Sequence, residues 1–330
     1  MTAQPAPGSV SALVLAAGLG TRLRPLTTLV PKPLLPVGGV PLLARTLVRL
    51  DEVGCQQVAV NLHHLGEAIR GHFGSRFGRM RLTWSPEPEI LGTLGALGPV
   101  RGVLGQAETV LVVNGDSLCD WPFEELLARH RETGAAATLL FAAGASAEEF
   151  GGGCGLDAEG RVVSLRAGLS AVGTAVAKRV FAGAHALSAS LLERVPNGPA
   201  DFVTELYQPL LEEGAHLAAC ETDRPWHDLG TPDRYRLALL DWAARHGQGG
   251  SWFSQHAQVA PEARIERSVL EVGARVEAEA TVSASVVLPG AVVGRGARVE
   301  RSIVAFRAEV PAGATLVDQL VMPATAAGLE

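Results

Sequence analysis

LAAGLGTRLRPLTTLVPKPLLPV, residues 15–37, follows directly on the apolar run Val10–Leu15. That run reads as a buried strand. The segment after it gathers Gly18, Gly20, Arg22, Arg24 and Lys32 into a stretch that cannot become one long helix. Pro25, Pro31, Pro33, Pro36 and Pro41 forbid it, because each removes a backbone donor and fixes φ. A strand that empties into a long, cationic loop structured by glycine and proline is a phosphate-binding arrangement. Long structured loops inside compact domains are usually functional.

Charge narrows the ligand. The chain of 330 residues carries a formal net charge of −6, yet its first acid is Asp51. Arg22, Arg24, Lys32, Arg45 and Arg49 all precede it. A local positive field on an acidic protein suits a small anion. Nucleic acid calls for a basic face over a whole domain and is not expected as a partner. Lys32 and Lys178 are the only lysines among 28 basic residues. A lysine retained at 32 in an arginine-biased chain suggests a need for a compact ammonium charge.

A chain 47% hydrophobic at this length supports one large core plus a smaller unit. Its apolar runs are short and broken by glycine or charge, so no membrane span is expected. Residues 1–9 lack a cationic n-region, and Val10–Ala17 leads straight into the glycine loop, so this run is expected to be the first strand and not a signal peptide. Cys55, Cys119, Cys154 and Cys220 lie far apart without a CxxC pair. They read as free thiols in a reducing, cytoplasmic compartment, and a zinc site is not expected.

The first two thirds alternate strand and helix patterns. Helices are expected over Pro41–Val53, Gly66–Phe73, Phe123–Thr133 and Pro232–Ala244. Strands are expected over Gln57–Leu62, Thr109–Val113 and Ala136–Ala142. Such alternation means an α/β fold, a mostly parallel sheet with helices on both faces. Ligands in these sheets sit outside the carboxyl ends of the strands. Beyond the linker His246-Gly247-Gln248-Gly249-Gly250-Ser251 the texture changes. Apolar residues recur at spacings near six: Val259, Ile265, Val269, Val276, Val282, Val286, Val292, Val299, Ile303. A hexad-like period with small residues between points to a left-handed parallel β-helix of a few coils; a β-sandwich is the rival reading. The domains are expected at 1–246 and 251–330.

Two familiar phosphate fingerprints fail. Position 23 is Leu where a dinucleotide loop has its third glycine, and no Gly-Lys-Ser/Thr follows for a P-loop. Asn114-Gly115-Asp116 places a carboxylate at a strand end, and Trp226-His227-Asp228-Leu229-Gly230-Thr231-Pro232 places another just before a helix. Two carboxylates with substrate phosphates and water make a Mg²⁺ site; a turn residue and a helix-start acid are the plainer alternatives. His63 and His64 are neighbours on an extended chain and point to opposite faces, so they are read as structural or edge-of-pocket residues rather than as a metal pair.

The strings GLGTRLRPLT and PKPLLPV, the strand end VVNGD and the segment WHDLGTP together resemble the sugar-1-phosphate nucleotidylyltransferases, over roughly residues 10–245. The β-helical tail resembles that of the mannose-1-phosphate guanylyltransferase-like members. The resemblance implies a Rossmann-like nucleotidyltransferase domain. It implies that Leu15, Ala16, Ala17, Gly18, Gly20 and Thr21 hold the nucleotide, and that Arg22 and Lys32 hold the triphosphate. Asp116 and Asp228 would bind Mg²⁺. Glu87, Gly92 and Thr93 match the base-contacting segment, and Gly183 and Glu205 the sugar-contacting positions. The partners would be an NTP and a sugar 1-phosphate, with a homo-oligomer through the β-helix.

One departure stands out. The family has Glu-Lys-Pro after the strand that here reads RVVSL, and this chain has Arg166-Ala167-Gly168. The missing lysine grips the sugar phosphate, so Arg166 or Lys178 is the candidate replacement. The turn near the base also carries Leu94 where Gly or Ala is common. The implied reaction is attack by a sugar-1-phosphate oxygen on the α-phosphorus, which needs no protein nucleophile. GTP with mannose 1-phosphate is the leading pair. Uridylyl or thymidylyl transfer to another sugar phosphate, and a non-catalytic nucleotide-sugar sensor, are the alternatives. His256 is the only histidine of the tail, so an acyl-transfer role for the β-helix is not expected.

Overall fold

The computed structural model describes residues 8–324. Residues 1–7 and 325–330, the outer ends of the two expected domains, lie outside the described residues. The chain forms two compact units: one of residues 1–19 and 45–226, the other of residues 20–44 and 227–330.

The first unit is built on a ten-stranded mixed sheet. Its parallel heart is β1 (Val10–Leu15), flanked by β2 (Gln57–Leu62) and β4 (Thr109–Asn114), with β3 (Met80–Pro86) beyond β2. β1, β2 and β4 are apolar and buried along most of their length, as strands covered on both faces must be. The parallel pairings and the helices Gly66–Phe73 and Phe123–Thr133 fall where sequence periodicity puts them. The helix after residue 41 runs Leu42–Glu52, starting one residue later and ending one earlier than expected.

Beyond β4 the sheet turns antiparallel. β5 (Ala137–Ala142), β6 (Cys154–Leu156) and β7 (Val162–Ser164) precede the twelve-residue β8 (Ala177–Ser188). β8 pairs antiparallel with β4, β5 and β6, and its register with β5 shifts between Phe181 and His185. β9 (Leu217–Thr222) closes this side, parallel to β5. Leu13, Val110, Val112, Leu139, Phe141, Leu187 and Leu206 lie in one continuous buried cluster under the sheet.

The second unit joins the cationic loop to everything after residue 226. Pro36–Val37 and Val40–Pro41 pair as a short antiparallel hairpin. The helix Pro232–His246 begins at Thr231, whose hydroxyl accepts from the Arg234 amide, with Pro232 at its first position. From Trp252 the chain winds through three parallel sheets of five, four and four strands, a parallel β-helix. Each residue pairs with the one 17 positions on, as in Val269 with Val286 and Val286 with Ile303. Strand starts advance by six, six and five residues, so the hexad is shortened at every third corner. That corner is turned by Arg267, Ala284, Arg301 and Asp318, all at positive φ. Next to it runs a serine ladder. The Ser268 amide donates to Ser251 Oγ at 3.1 Å, Ser285 to Ser268 Oγ at 3.1 Å, and Ser302 to Ser285 Oγ at 3.0 Å. Left-handed backbone at non-glycine residues is strained, and the ladder helps to hold it in place.

Among the described residues, no helix is long and apolar enough to cross a membrane. All four cysteines are free and buried, and burial pushes the Cys55 thiol up to about 12.

Candidate functional site

The carboxyl ends of β1, β2, β3 and β4 lie side by side, with Leu15 level with Asn61 on one flank and with Asn114 on the other. The chain leaves β1 through Ala16, Ala17 and the exposed Gly18 and Leu19. Two bonds fix this exit. The Ala16 amide donates to Asn61 Oδ1 at 2.7 Å, and the Gly115 amide donates to the Leu15 carbonyl at 2.8 Å. The second bond seats the Asn114-Gly115-Asp116 turn beside the end of β1, with Asp116 half-buried.

Asn61 carries the network further. Its amide nitrogen donates to Glu87 Oε1 at 2.9 Å, and Glu87 Oε2 accepts from the Leu91 amide at 2.9 Å. Glu87 is only 3% exposed, and its carbonyl also accepts from His63 Nδ1 at 2.7 Å. The structure therefore places Glu87 as an organiser linking the β1 exit to the turn that holds Gly92 and Thr93. That turn packs tightly on residues 198–200: a Cβ on Gly92 would lie 2.5 Å from the Ala200 carbonyl oxygen. Thr93 Oγ accepts from the Phe202 amide at 3.3 Å. Asn61 is the position in this network that sequence reasoning missed. An amide near the end of a buried strand is no signal by itself, and its partners lie far away in the chain.

Gly183 lies on β8 against Asn114, and an added Cβ would come within 3.0 Å of the Asn114 side chain. Glu205 Oε2 accepts from the Asp201 amide and the Thr204 hydroxyl, both at 2.7 Å, while Asp201 Oδ1 accepts from the Val203 and Thr204 amides. This reciprocal cap opens the helical segment Val203–Glu212. His185 on β8 and Tyr207 form a buried polar pair joined by a hydrogen bond. Phe181 and Phe202 pack edge-on against the imidazole. Arg166 follows β7 and Lys178 opens β8, and both are exposed. Lys178, Gly155 and Ser164 stand in one row across β8, β6 and β7.

Burial drives the His185 pKa down to about 3. Above pH 6.5 the imidazole is neutral whether the chain is folded or not. Below 6.5 the unfolded chain takes up a proton that the folded chain refuses, so stability falls with pH. From this group alone the unfolding free energy drops by about 1.4 kcal/mol per pH unit between 6.5 and about 3. Urea unfolding at pH 7 and pH 5 reads this slope, and it flattens in His185→Gln. Tyr207→Phe strands the buried imidazole nitrogen and is expected to destabilise by about 1–3 kcal/mol at pH 7.

In the second unit, Gly20 starts the short turn Thr21–Leu23, and the Thr27 hydroxyl donates to the Gly20 carbonyl at 2.9 Å. Thr21 and Arg22 are exposed. Lys32 opens another turn, Lys32–Leu34, between Pro31 and Pro33, and is only 7% exposed. Lysine is rarely buried this far, so Lys32 is not part of a solvated basic loop. Asp228 is half-buried just ahead of the helix at Pro232, and its Oδ2 accepts from Arg234 Nη1 at 2.7 Å. A Cβ on Gly230 would fall 2.9 Å from that same oxygen and 3.3 Å from the Arg22 guanidinium carbon. The bare glycine thus lets Arg22 approach Asp228. Of the residues singled out in the sequence, this unit brings Arg22 and Asp228 together. The other unit gathers Leu15, Glu87, Gly92, Thr93, Asp116 and Gly183 around the strand ends.

Comparison with known proteins gives the family. A family model described as Nucleotidyl transferase matches residues 11–244, and one described as GlmU-like, C-terminal hexapeptide, matches residues 243–319. Mannose-1-phosphate guanylyltransferase of Mycobacterium tuberculosis (strain ATCC 25618 / H37Rv) is 30% identical over 300 residues, 82% of each chain. Mannose-1-phosphate guanylyltransferase catalytic subunit beta of Drosophila pseudoobscura pseudoobscura is 29% identical over 231 residues, 69% of this chain and 61% of that one. The match thus spans less than two thirds of that relative's length. The crystal structure of HddC from Yersinia pseudotuberculosis, also solved in complex with GMP-PN, aligns with a TM-score of 0.58 at 22% identity. That alignment covers 70% of this chain and 99% of the other, a likeness of fold. With the first family model matched over residues 11–244, the chain belongs to the nucleotidyl transferase family.

Proposed function

We propose that the protein is a sugar-1-phosphate nucleotidylyltransferase that uses GTP and mannose 1-phosphate. The observation that carries this reading is the cationic loop itself, which leaves the carboxyl end of β1 and holds Lys32 in a buried turn and Arg22 beside Asp228. The sugar-phosphate oxygen attacks the α-phosphorus, the bond from that phosphorus to the β-phosphate bridging oxygen breaks, and pyrophosphate leaves. Two polyanions must meet, so positioning and charge neutralisation account for most of the catalysis.

In this reading the backbone from Leu15 to Thr21 cradles the nucleotide. Lys32 and Arg22 grip the triphosphate, and Arg22 stabilises the charge that moves onto pyrophosphate. Glu87 sets the turn whose Gly92 and Thr93 face the base. Gly183 and Glu205 border the sugar, and Arg166 or Lys178 binds its phosphate in place of the family lysine. Asp116 and Asp228 offer hard carboxylate oxygens of the kind Mg²⁺ accepts alongside phosphates and water. When bound, the ion would neutralise phosphate charge and orient the two reactants. The buried free thiols suit a reducing, cytoplasmic setting. The names of the relatives favour guanylyl transfer to mannose 1-phosphate over uridylyl or thymidylyl transfer.

The test is pyrophosphate release with Mg²⁺ across GTP, ATP, UTP and dTTP, each with mannose, glucose and N-acetylglucosamine 1-phosphates. GTP with mannose 1-phosphate should give the largest kcat/KM. A different dominant pair reassigns the substrates. Silence across all pairs, with nucleotide still bound, contradicts the transferase reading and favours a nucleotide-sugar sensor.

A further inference from the structure

The hairpin that follows Lys32 is gripped by the β-helix. Its turn, Gly38-Gly39, has both residues at positive φ. The Gly38 amide donates to Glu271 Oε1 at 2.9 Å, and the Gly39 amide donates to Glu271 Oε2 at 2.7 Å. Glu271 is fully buried (0% exposed), one residue past the strand Val269–Leu270. The coil itself does not ask for an acid there. The equivalent places one and two coils on are Leu288 and Ala305, both buried, and all three amides make the same bond to the following coil. A buried carboxylate is costly unless it is hydrogen-bonded. Here the two glycine amides of the loop supply that bonding.

Two more contacts close the grip. The Tyr235 hydroxyl donates to the Pro36 carbonyl at 2.6 Å. The Trp242 ring fills the space at Gly38, where an added Cβ would stand 2.0 Å from the ring. The hairpin base is closed by the Leu42 amide on the Leu35 carbonyl at 3.0 Å, and Leu35 ends the Lys32–Leu34 turn. The clamped turn is therefore six residues from Lys32 along a path with little slack.

We propose that Glu271 is a positioning residue for the phosphate loop. The β-helix, through this one carboxylate, holds the Gly38-Gly39 turn and so keeps Lys32 in its nucleotide-binding place. This inference rests on the reading of Lys32 as a triphosphate ligand. It makes the C-terminal coils part of the nucleotide site in effect.

The test uses the full chain with Glu271→Gln, which keeps the shape but cannot accept from both amides. Amide hydrogen exchange over residues 35–42 should quicken about tenfold, and KM for GTP should rise about tenfold. KM for the sugar phosphate should hold, and kcat should change by less than about threefold. Unchanged exchange, or faster exchange with an unmoved KM for GTP, overturns the proposal. If the wild type makes no nucleotide sugar with any pair, the transferase reading fails separately. Equilibrium GTP binding then replaces KM: a Kd raised about tenfold in Glu271→Gln supports the proposal, and an unmoved Kd overturns it. If Glu271→Gln does not fold, Tyr235→Phe removes only the bond to Pro36. It should shift exchange and KM in the same direction by a smaller factor, and no shift in KM there overturns the proposal.

Discussion

Arg22→Ala is expected to lower kcat/KM for nucleotidyl transfer by about 10²–10³ and to leave the unfolding transition where it is. Arg22 is exposed on a short turn and supports no core, so its loss has little to unfold. Its guanidinium lies beside Asp228 because residue 230 has no side chain. The charge that develops on departing pyrophosphate needs a fixed donor, and removing one such donor typically loses about 3–4 kcal/mol of transition-state stabilisation. Arg22→Lys should recover only part of the loss, because an ammonium cannot reproduce the planar fork. Steady-state kinetics with saturating Mg²⁺, alongside a thermal melt, read both halves of this expectation. Turnover near wild type in a folded Arg22→Ala protein removes Arg22 from the mechanism.

Asp116→Asn is expected to act as strongly, about 10²–10³ in kcat, with a different signature. The substitution keeps size and shape, and the Gly115 amide that pins this turn to the Leu15 carbonyl is untouched. What changes is charge at a strand end that would share a divalent ion with phosphate oxygens. The half-saturating Mg²⁺ concentration should rise by about tenfold or more as kcat falls. An unchanged Mg²⁺ dependence would leave Asp116 as a turn residue and nothing else.

Legibility in the sequence followed locality. β1, the cationic loop, the strand end at Asn114 and the helix after Thr231 are each set by short-range signals: an apolar run, prolines that break helix, a cap. They lie where the sequence puts them. The relay from Ala16 through Asn61 and Glu87 to Leu91 joins segments far apart in the chain, and no local pattern announces it. β8 is unreadable for a related reason. Its twelve residues serve three neighbours with a register shift, so no single alternation survives along it.

The β-helix shows both sides of this. Its hexads are visible because inward valines repeat every few residues. The 17-residue coil is not, because its shortened corner is turned by Arg267, Ala284, Arg301 and Asp318 and carries no glycine as a flag. The clamp between Glu271 and Gly38 spans 233 positions and emerges only from the fold. Why Arg166-Ala167-Gly168 stands where the family has Glu-Lys-Pro has no explanation in the structure.

Attack at the α-phosphorus is tested most simply by following phosphorus. The protein is incubated with Mg²⁺, mannose 1-phosphate and GTP labelled either at the α- or at the γ-phosphate. Nucleotidyl transfer predicts α-label in the nucleotide sugar and γ-label in pyrophosphate, in equal amounts. γ-Label appearing in a sugar product, or released as inorganic phosphate, would contradict attack at the α-phosphorus and with it the nucleotidyl-transfer reading.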